Sequence, residues 1–197
     1  MALKKSVKVG SISNLSDARY CSGMSVDMLG FCVIEGQDHY VSPEFFNEIR
    51  GWFSGPSIVA EAYGIQSADE LDRIINYYHP DYIEVSLREL IKIQSSTANY
   101  ILSTSYEEVI AQAGALAPFK NQIRKIIIPA TTRKSDITEL ALQYSVLIQV
   151  DSESSLDTIL NDPAINGIAL KGSPEDKPGL KNYEHLSVIL ELLEVID

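Results

Sequence analysis

Short β-rich runs alternate with longer amphipathic stretches along almost the whole chain. The runs are Val7 to Ile12, Met28 to Ile34, Ser57 to Tyr63, Tyr82 to Leu87, Tyr100 to Ser103, Lys125 to Ile128, Val146 to Val150 and Gly167 to Leu170. Ile126-Ile127-Ile128 and Val146-Leu147-Ile148 are uninterrupted apolar segments, the pattern of strands covered on both faces in a parallel sheet. Helix signals lie between the runs. Ser42-Pro43-Glu44 supplies an N-cap, a proline at the first helical position and an acid in the first turn. Leu71, Ile74 and Ile75 form one helical face within Ser67 to Tyr78. Ser105 ahead of Glu107 and Glu108, and Asp136 ahead of Leu140, read as helix starts, and Leu186 to Ile196 reads as a closing helix. Repeated β-α units predict a parallel sheet with right-handed crossovers, doubly wound or closed into a barrel. Eight runs favour an α/β fold of the (β/α)8 TIM-barrel type. Such barrels usually take about 250 residues, so helices and loops in this 197-residue chain must be short. No linker, low-complexity tract or repeat divides the chain, and a single domain over residues 1–197 is expected.

Composition narrows the possible partners. Apolar residues make up 45% and charged residues 22%, an ordinary globular mix. No apolar run approaches the roughly 20 residues needed to span a bilayer. Lys4 and Lys5 are not followed by the apolar segment of a secretory signal, so the cytoplasm is the expected location. With 27 acidic and 16 basic side chains the net charge is −11, which repels a phosphodiester backbone; nucleic acid is not expected as a partner. The two cysteines, Cys21 and Cys32, have neither zinc-site nor disulfide spacing and read as small hydrophobes. No cofactor and no metal are expected.

Strand periodicity places the remaining polar residues. Alternation puts Lys8 and Gly10 on one face of the first strand, Glu61 inside the third and Glu84 inside the fourth. Lys8, Glu61 and Glu84 can therefore form a buried charge cluster near the mouth. A paired structural network is the favoured reading, because buried charges require compensation; a functional site is the other. Asp151, at a strand end, reads as a helix N-cap in preference to a catalyst. His39 reads as a loop side chain whose tunable pKa keeps it a candidate. Tyr77-Tyr78-His79-Pro80 ends a helix and reads as packing beneath the next loop, with a partner interface as the alternative.

Local motifs then resemble one family. Lys8-Val9-Gly10-Ser11-Ile12, followed by Asn14-Leu15-Ser16-Asp17-Ala18, is similar to the opening of phosphoribosylanthranilate isomerases, Lys-Ile-Cys-Gly-Ile-Thr before Asn-Leu-x-Asp-Ala. Asp27-Met28-Leu29-Gly30-Phe31 resembles that family's second strand, and Tyr40-Val41-Ser42-Pro43-Glu44 the start of its second helix. Lys171-Gly172-Ser173-Pro174-Glu175 and Pro178-Gly179-Leu180-Lys181 resemble its Ser-Gly-Val-Glu and Pro-Gly-x-Lys pair. The resemblance implies a β/α barrel and an Amadori rearrangement of an aminoaldose phosphate in tryptophan biosynthesis.

The same resemblance shows what the chain lacks. The family's base is the cysteine of its first strand, and that position is Gly10; its acid is an aspartate ending the sixth strand, where this chain runs Ile126-Ile127-Ile128-Pro129. The arginine that receives the anthranilate carboxylate falls at His39, and Gln-Leu-His-Gly of the fourth strand falls on Glu84-Val85-Ser86-Leu87. The family's Gly-Gly-Thr-Gly loop has no counterpart in Ala130-Thr131-Thr132-Arg133-Lys134, and its next Gly-Gly pair falls on Val150-Asp151. Gly172 survives, with Lys171 as a new cation. Little or none of the family reaction is therefore expected, with weak binding of phosphorylated sugars at most. The alternatives are a non-catalytic barrel that binds a ligand or partner, and an isomerase- or lyase-type enzyme with relocated acid–base residues. For the latter the catalytic candidates are Glu84 and Asp151. Binding candidates are Lys8, Ser11 and His39 near the first two strands, Glu61 and Ser86 on the next two, and Lys171 with Gly172 at the last. The expected ligand is a small anionic or sugar-derived metabolite, and the expected state a monomer or homodimer.

Overall fold

The computed structural model describes residues 2–95, 98–153, 156–172, 175–177, 180–181 and 183–195. Eight parallel strands close into a barrel in chain order. They are β1 Ser6–Gly10, β2 Met28–Cys32, β3 Ser57–Glu61, β4 Tyr82–Ser86, β5 Tyr100–Ser103, β6 Ile123–Pro129, β7 Ser145–Gln149 and β8 Gly167–Lys171. β8 returns to β1 from the Ser6–Gly167 pair to the Gly10–Lys171 pair, which completes the ring. Each expected run holds one strand. The first four runs and the seventh extend one or two residues past the strand ends; after β1 the chain turns at Ser11, whose φ is 55°.

The crossovers are short. They are α1 Leu15–Gly23, α2 Pro43–Arg50, α3 Ala68–Tyr78, α4 Leu87–Ile93, α5 Tyr106–Ala111, α6 Ala113–Leu116, α7 Lys134–Ala141, α8 Leu156–Leu160 and α9 Glu184–Leu193. Side-chain caps set several starts: Asn14 accepts from Asp17 N, Ser42 from Phe45 N and Ser67 from Glu70 N. Ser86 with Glu89, and Ser105 with Glu108, form reciprocal capping boxes. α7 begins at Lys134, two residues before the expected start. Asp136 lies buried in its first turn, 2.9 Å from Arg133 Nε. A small antiparallel pair, β9 Glu175–Lys177 and β10 Leu180–Lys181, follows the barrel. Ser173, Pro174, Pro178 and Gly179 of the C-terminal motifs, and Ile196, lie outside the described residues.

Alternation along the strands builds two apolar layers. Residues such as Val9, Phe31, Val85, Leu102, Ile128 and Ile148 face outward and pack under Leu71, Leu90, Leu140 and Ile189 of the helices. Met28, Val59, Ile101, Ile127, Leu147 and Ala169 face inward and fill the barrel as a separate cluster. This plug leaves the C-terminal strand ends as a shallow mouth. Tyr78 is buried and donates to Val41 O at 2.7 Å, the packing expected of it, whereas Tyr77 is 57% exposed. No helix among the described residues is long and apolar enough to cross a membrane.

Candidate functional site

The mouth is organised by two glycines. Gly10 ends β1 and Gly30 is the middle residue of β2, and a Cβ on either would collide with Glu61 Oε1. Without those side chains, Glu61 lies over β1 and β2 and meets Lys8. Lys8 is level with Met28 and Ala169 of the plug, and its stem carries the ammonium up to the carboxylates. Glu61 and Glu84 are register partners on β3 and β4, so two carboxylates stand side by side. Like charges in such pairs repel. Lys8 Nζ resolves the conflict, 2.6 Å from Glu61 Oε1 and 2.6 Å from Glu84 Oε2. The first contact is a hydrogen-bonded ion pair. The second is an ion pair of the same length with poorer hydrogen-bond alignment. Glu61 Oε2 accepts from Ser11 N at 3.0 Å, and Glu84 Oε1 accepts from the Tyr63 hydroxyl at 2.5 Å.

Lys8, Glu61 and Glu84 are all buried. Burial alone would lower the Lys8 pKa, but the facing Glu61 and Glu84 carboxylates outweigh it and hold the ammonium above its ordinary value. Burial and the Glu61 carboxylate raise Glu84 above the usual carboxylate range, against the pull of Lys8. Burial, then Glu84, push the Tyr63 phenol up.

A cavity of about 290 Å³ opens over this cluster. Lys8, Glu61 and Glu84 line it with Ser11, His39 and Lys171. Sequence reasoning did not single out Tyr63, Gln37, Asp38 or Gln149, which also line it. Tyr63 lies beyond the end of β3, where alternation no longer assigns a face. Ser86 does not line this cavity; its hydroxyl caps α4, accepting from Glu89 N at 3.4 Å. Gly172 is spoken for as well: its N–H donates to Gly10 O at 2.7 Å, and a Cβ there would lie 2.9 Å from that oxygen. This glycine serves the closure of β8 on β1.

Asp151 is separated from Glu84. It lines a neighbouring cavity of about 250 Å³ with Ser103, Thr104 and Thr131; Gln149 belongs to both cavities. The N-cap reading of Asp151 is overturned, because α8 begins at Leu156, five residues further on, which leaves Asp151 exposed at the mouth. A third cavity, about 540 Å³, lies at the opposite end among Ser6, Asp27, Ser57, Tyr82 and Lys125. That end of a β/α barrel is the structural one, and Asp27 is engaged there with Val7 N at 2.7 Å. Among the described residues no group of three or more His, Cys, Asp or Glu side chains is placed to hold a metal ion.

No protein-family model matches the chain, and no curated protein matches it in sequence. Solved structures do. A phosphoribosylanthranilate isomerase in complex with reduced 1-(o-carboxyphenylamino)-1-deoxyribulose 5-phosphate shares 16% identity over 95% of this chain and 97% of its own, with a TM-score of 0.71. The enzyme from Thermotoga maritima shares 16% over 95% and 97%, with a TM-score of 0.70. That from Thermus thermophilus shares 16% over 94% and 96%, with a TM-score of 0.69. Over nearly the full length of both chains, this barrel has the fold of the phosphoribosylanthranilate isomerases that its sequence motifs resemble.

Proposed function

We propose that this chain is a phosphoribosylanthranilate isomerase-like barrel whose mouth binds a small metabolite and does not catalyse the Amadori reaction at an enzymatic rate. The observation that carries this reading is Glu61 over Gly10. Where the resemblance puts the family's base, the backbone bears no side chain and the space beside it holds a carboxylate already paired with Lys8. The sixth strand, Ile126-Ile127-Ile128-Pro129, offers no acid. General acid and general base each contribute about 10²–10⁴ in rate, so their joint loss is large.

Charge supports the same reading. The ligand held by one structural neighbour is a phosphate ester that also bears a carboxyl group. In this mouth Asp38, Glu61 and Glu84, with Asp151 beyond Gln149, would face those anions. The Gly172 N–H, the surviving part of a phosphate cradle, is engaged by Gly10 O. We take the chain to act as one domain in the cytoplasm. Expressed in a tryptophan auxotroph that lacks this isomerase, it should not restore growth; growth at wild-type rate would contradict the reading.

A second reading is favoured by Glu84, a carboxyl in contact with the cavity, hydrogen-bonded to Tyr63 and with its pKa raised by burial. It could act as a general acid on the bound metabolite. Asp151 is not its partner within one cavity, so an enzyme of this kind would use Glu84 with Tyr63 or Glu61.

A further inference from the structure

One buried donor in the mouth, Gln149 Nε2, has no hydrogen-bond partner; nearby, Glu84 Oε2 is ion-paired with Lys8 Nζ at 2.6 Å and, as a carboxylate oxygen with two lone pairs, can accept from a second donor. Both residues line the same 290 Å³ cavity. A buried donor or acceptor left unmet is costly, and nearly all such groups in folded proteins find a partner. The two atoms are complementary: one needs an acceptor and the other can accept a further hydrogen bond. A hydroxyl group is both donor and acceptor, and adjacent hydroxyls on one carbon chain can reach two such sites.

Charge selects among hydroxyl compounds. The cavity and its neighbour are lined by four carboxyl groups, Asp38, Glu61, Glu84 and Asp151, and two ammonium groups, Lys8 and Lys171, so acidic side chains outnumber these basic ones. Lys8 is already shared between Glu61 and Glu84. Lys171, an exposed side chain, is the remaining cation among these lining groups. An anionic substituent would therefore lower affinity. Size points the same way, since 290 Å³ is at the lower limit of ligand pockets.

We infer that the ligand of this mouth is an uncharged polyhydroxyl compound, an unphosphorylated sugar or polyol, anchored between Gln149 and Glu84. This rests on the mouth being a ligand site and names the class it takes. Gln149 is then a binding residue. Its side chain reaches both cavities, so a chain of hydroxyls longer than the first cavity can continue towards Asp151 and Thr131.

The test is calorimetry with D-ribose, D-xylose, D-glucose and D-ribose 5-phosphate on the wild-type chain and on Gln149→Leu. At least one neutral sugar should bind with a dissociation constant on the order of 1 mM or tighter. D-ribose 5-phosphate should bind at least about tenfold more weakly than D-ribose. Gln149→Leu should weaken the neutral ligand by about tenfold while keeping the thermal midpoint, because it removes a donor that has no protein partner. Tighter binding of the phosphate ester would overturn the ligand class and leave the mouth as a binding site. Unchanged sugar affinity in Gln149→Leu would overturn the anchor. No binding of any probe up to about 50 mM would mean that water alone meets these atoms, and both the class and the site would fall.

Discussion

The Glu61 carboxylate fills the space into which a side chain on Gly10 would project. A Cβ at residue 10 would also lie 2.9 Å from Lys8 Nζ, and one at Gly30 would lie 2.8 Å from Glu61 Cδ and 3.1 Å from Gly10 Cα. Gly10→Ala and Gly30→Ala should each destabilise the barrel by about 1–3 kcal/mol, the usual range for overpacking. Gly23→Ala is the control: Gly23 ends α1 and its added Cβ meets nothing within 4 Å, so its midpoint should stay or rise. Urea unfolding of the three variants distinguishes these outcomes.

Lys8 compensates two buried carboxylates at once. Lys8→Met should cost about 3–5 kcal/mol, the range for leaving a buried charge unpaired. The double variant Lys8→Met with Glu61→Gln should recover part of that loss, because it removes one stranded charge. A double-mutant cycle in guanidinium chloride reads the coupling.

The cluster also fixes a pH dependence. The Glu84 pKa is raised above its ordinary 4.5 by burial and by Glu61. Its contribution to stability is full below pH 4.5 and is lost as pH rises through the raised folded value. The wild-type thermal midpoint should therefore fall relative to Glu84→Gln on going upward from pH 4.5. Lys8, raised above 10.5, contributes stability below pH 10.5 that is lost on further alkalinisation, so a second loss follows there. Thermal scans of both proteins across pH test both signs.

Ser86 should behave as a helix cap. Its hydroxyl accepts from Glu89 N, its N–H donates to Glu89 Oε2 at 2.7 Å, and Glu89 Oε1 accepts from Gly64 N as well. Ser86→Ala should lower stability by about 1 kcal/mol and leave ligand affinity in the mouth unchanged. Parallel denaturation and binding measurements would expose any direct role at the ligand.

The barrel itself was legible because each strand carries its own signal. Uninterrupted apolar runs such as Ile126-Ile127-Ile128 identify strands covered on both faces, and period-two alternation sends Lys8, Glu61 and Glu84 to one interior. What stayed hidden depends on more than one strand. Gln149 is a polar residue ending a strand like many others, and its unmet nitrogen exists only once neighbouring strands are in place. Gly172 resembled a phosphate-binding glycine in sequence, yet its N–H is claimed by Gly10 across the barrel seam. Asp151 looked like a cap because strand ends often lead straight into helices, whereas here α8 begins at Leu156, five residues further on.

The most direct measurement is the isomerisation of phosphoribosylanthranilate by the purified chain, followed as loss of substrate fluorescence. With Gly10 in place of a base, no carboxylate ending β6 and Glu61 occupying the mouth, no turnover above the uncatalysed background is predicted. A turnover number above about 1 s⁻¹, ordinary for an enzyme, would contradict this account of the site.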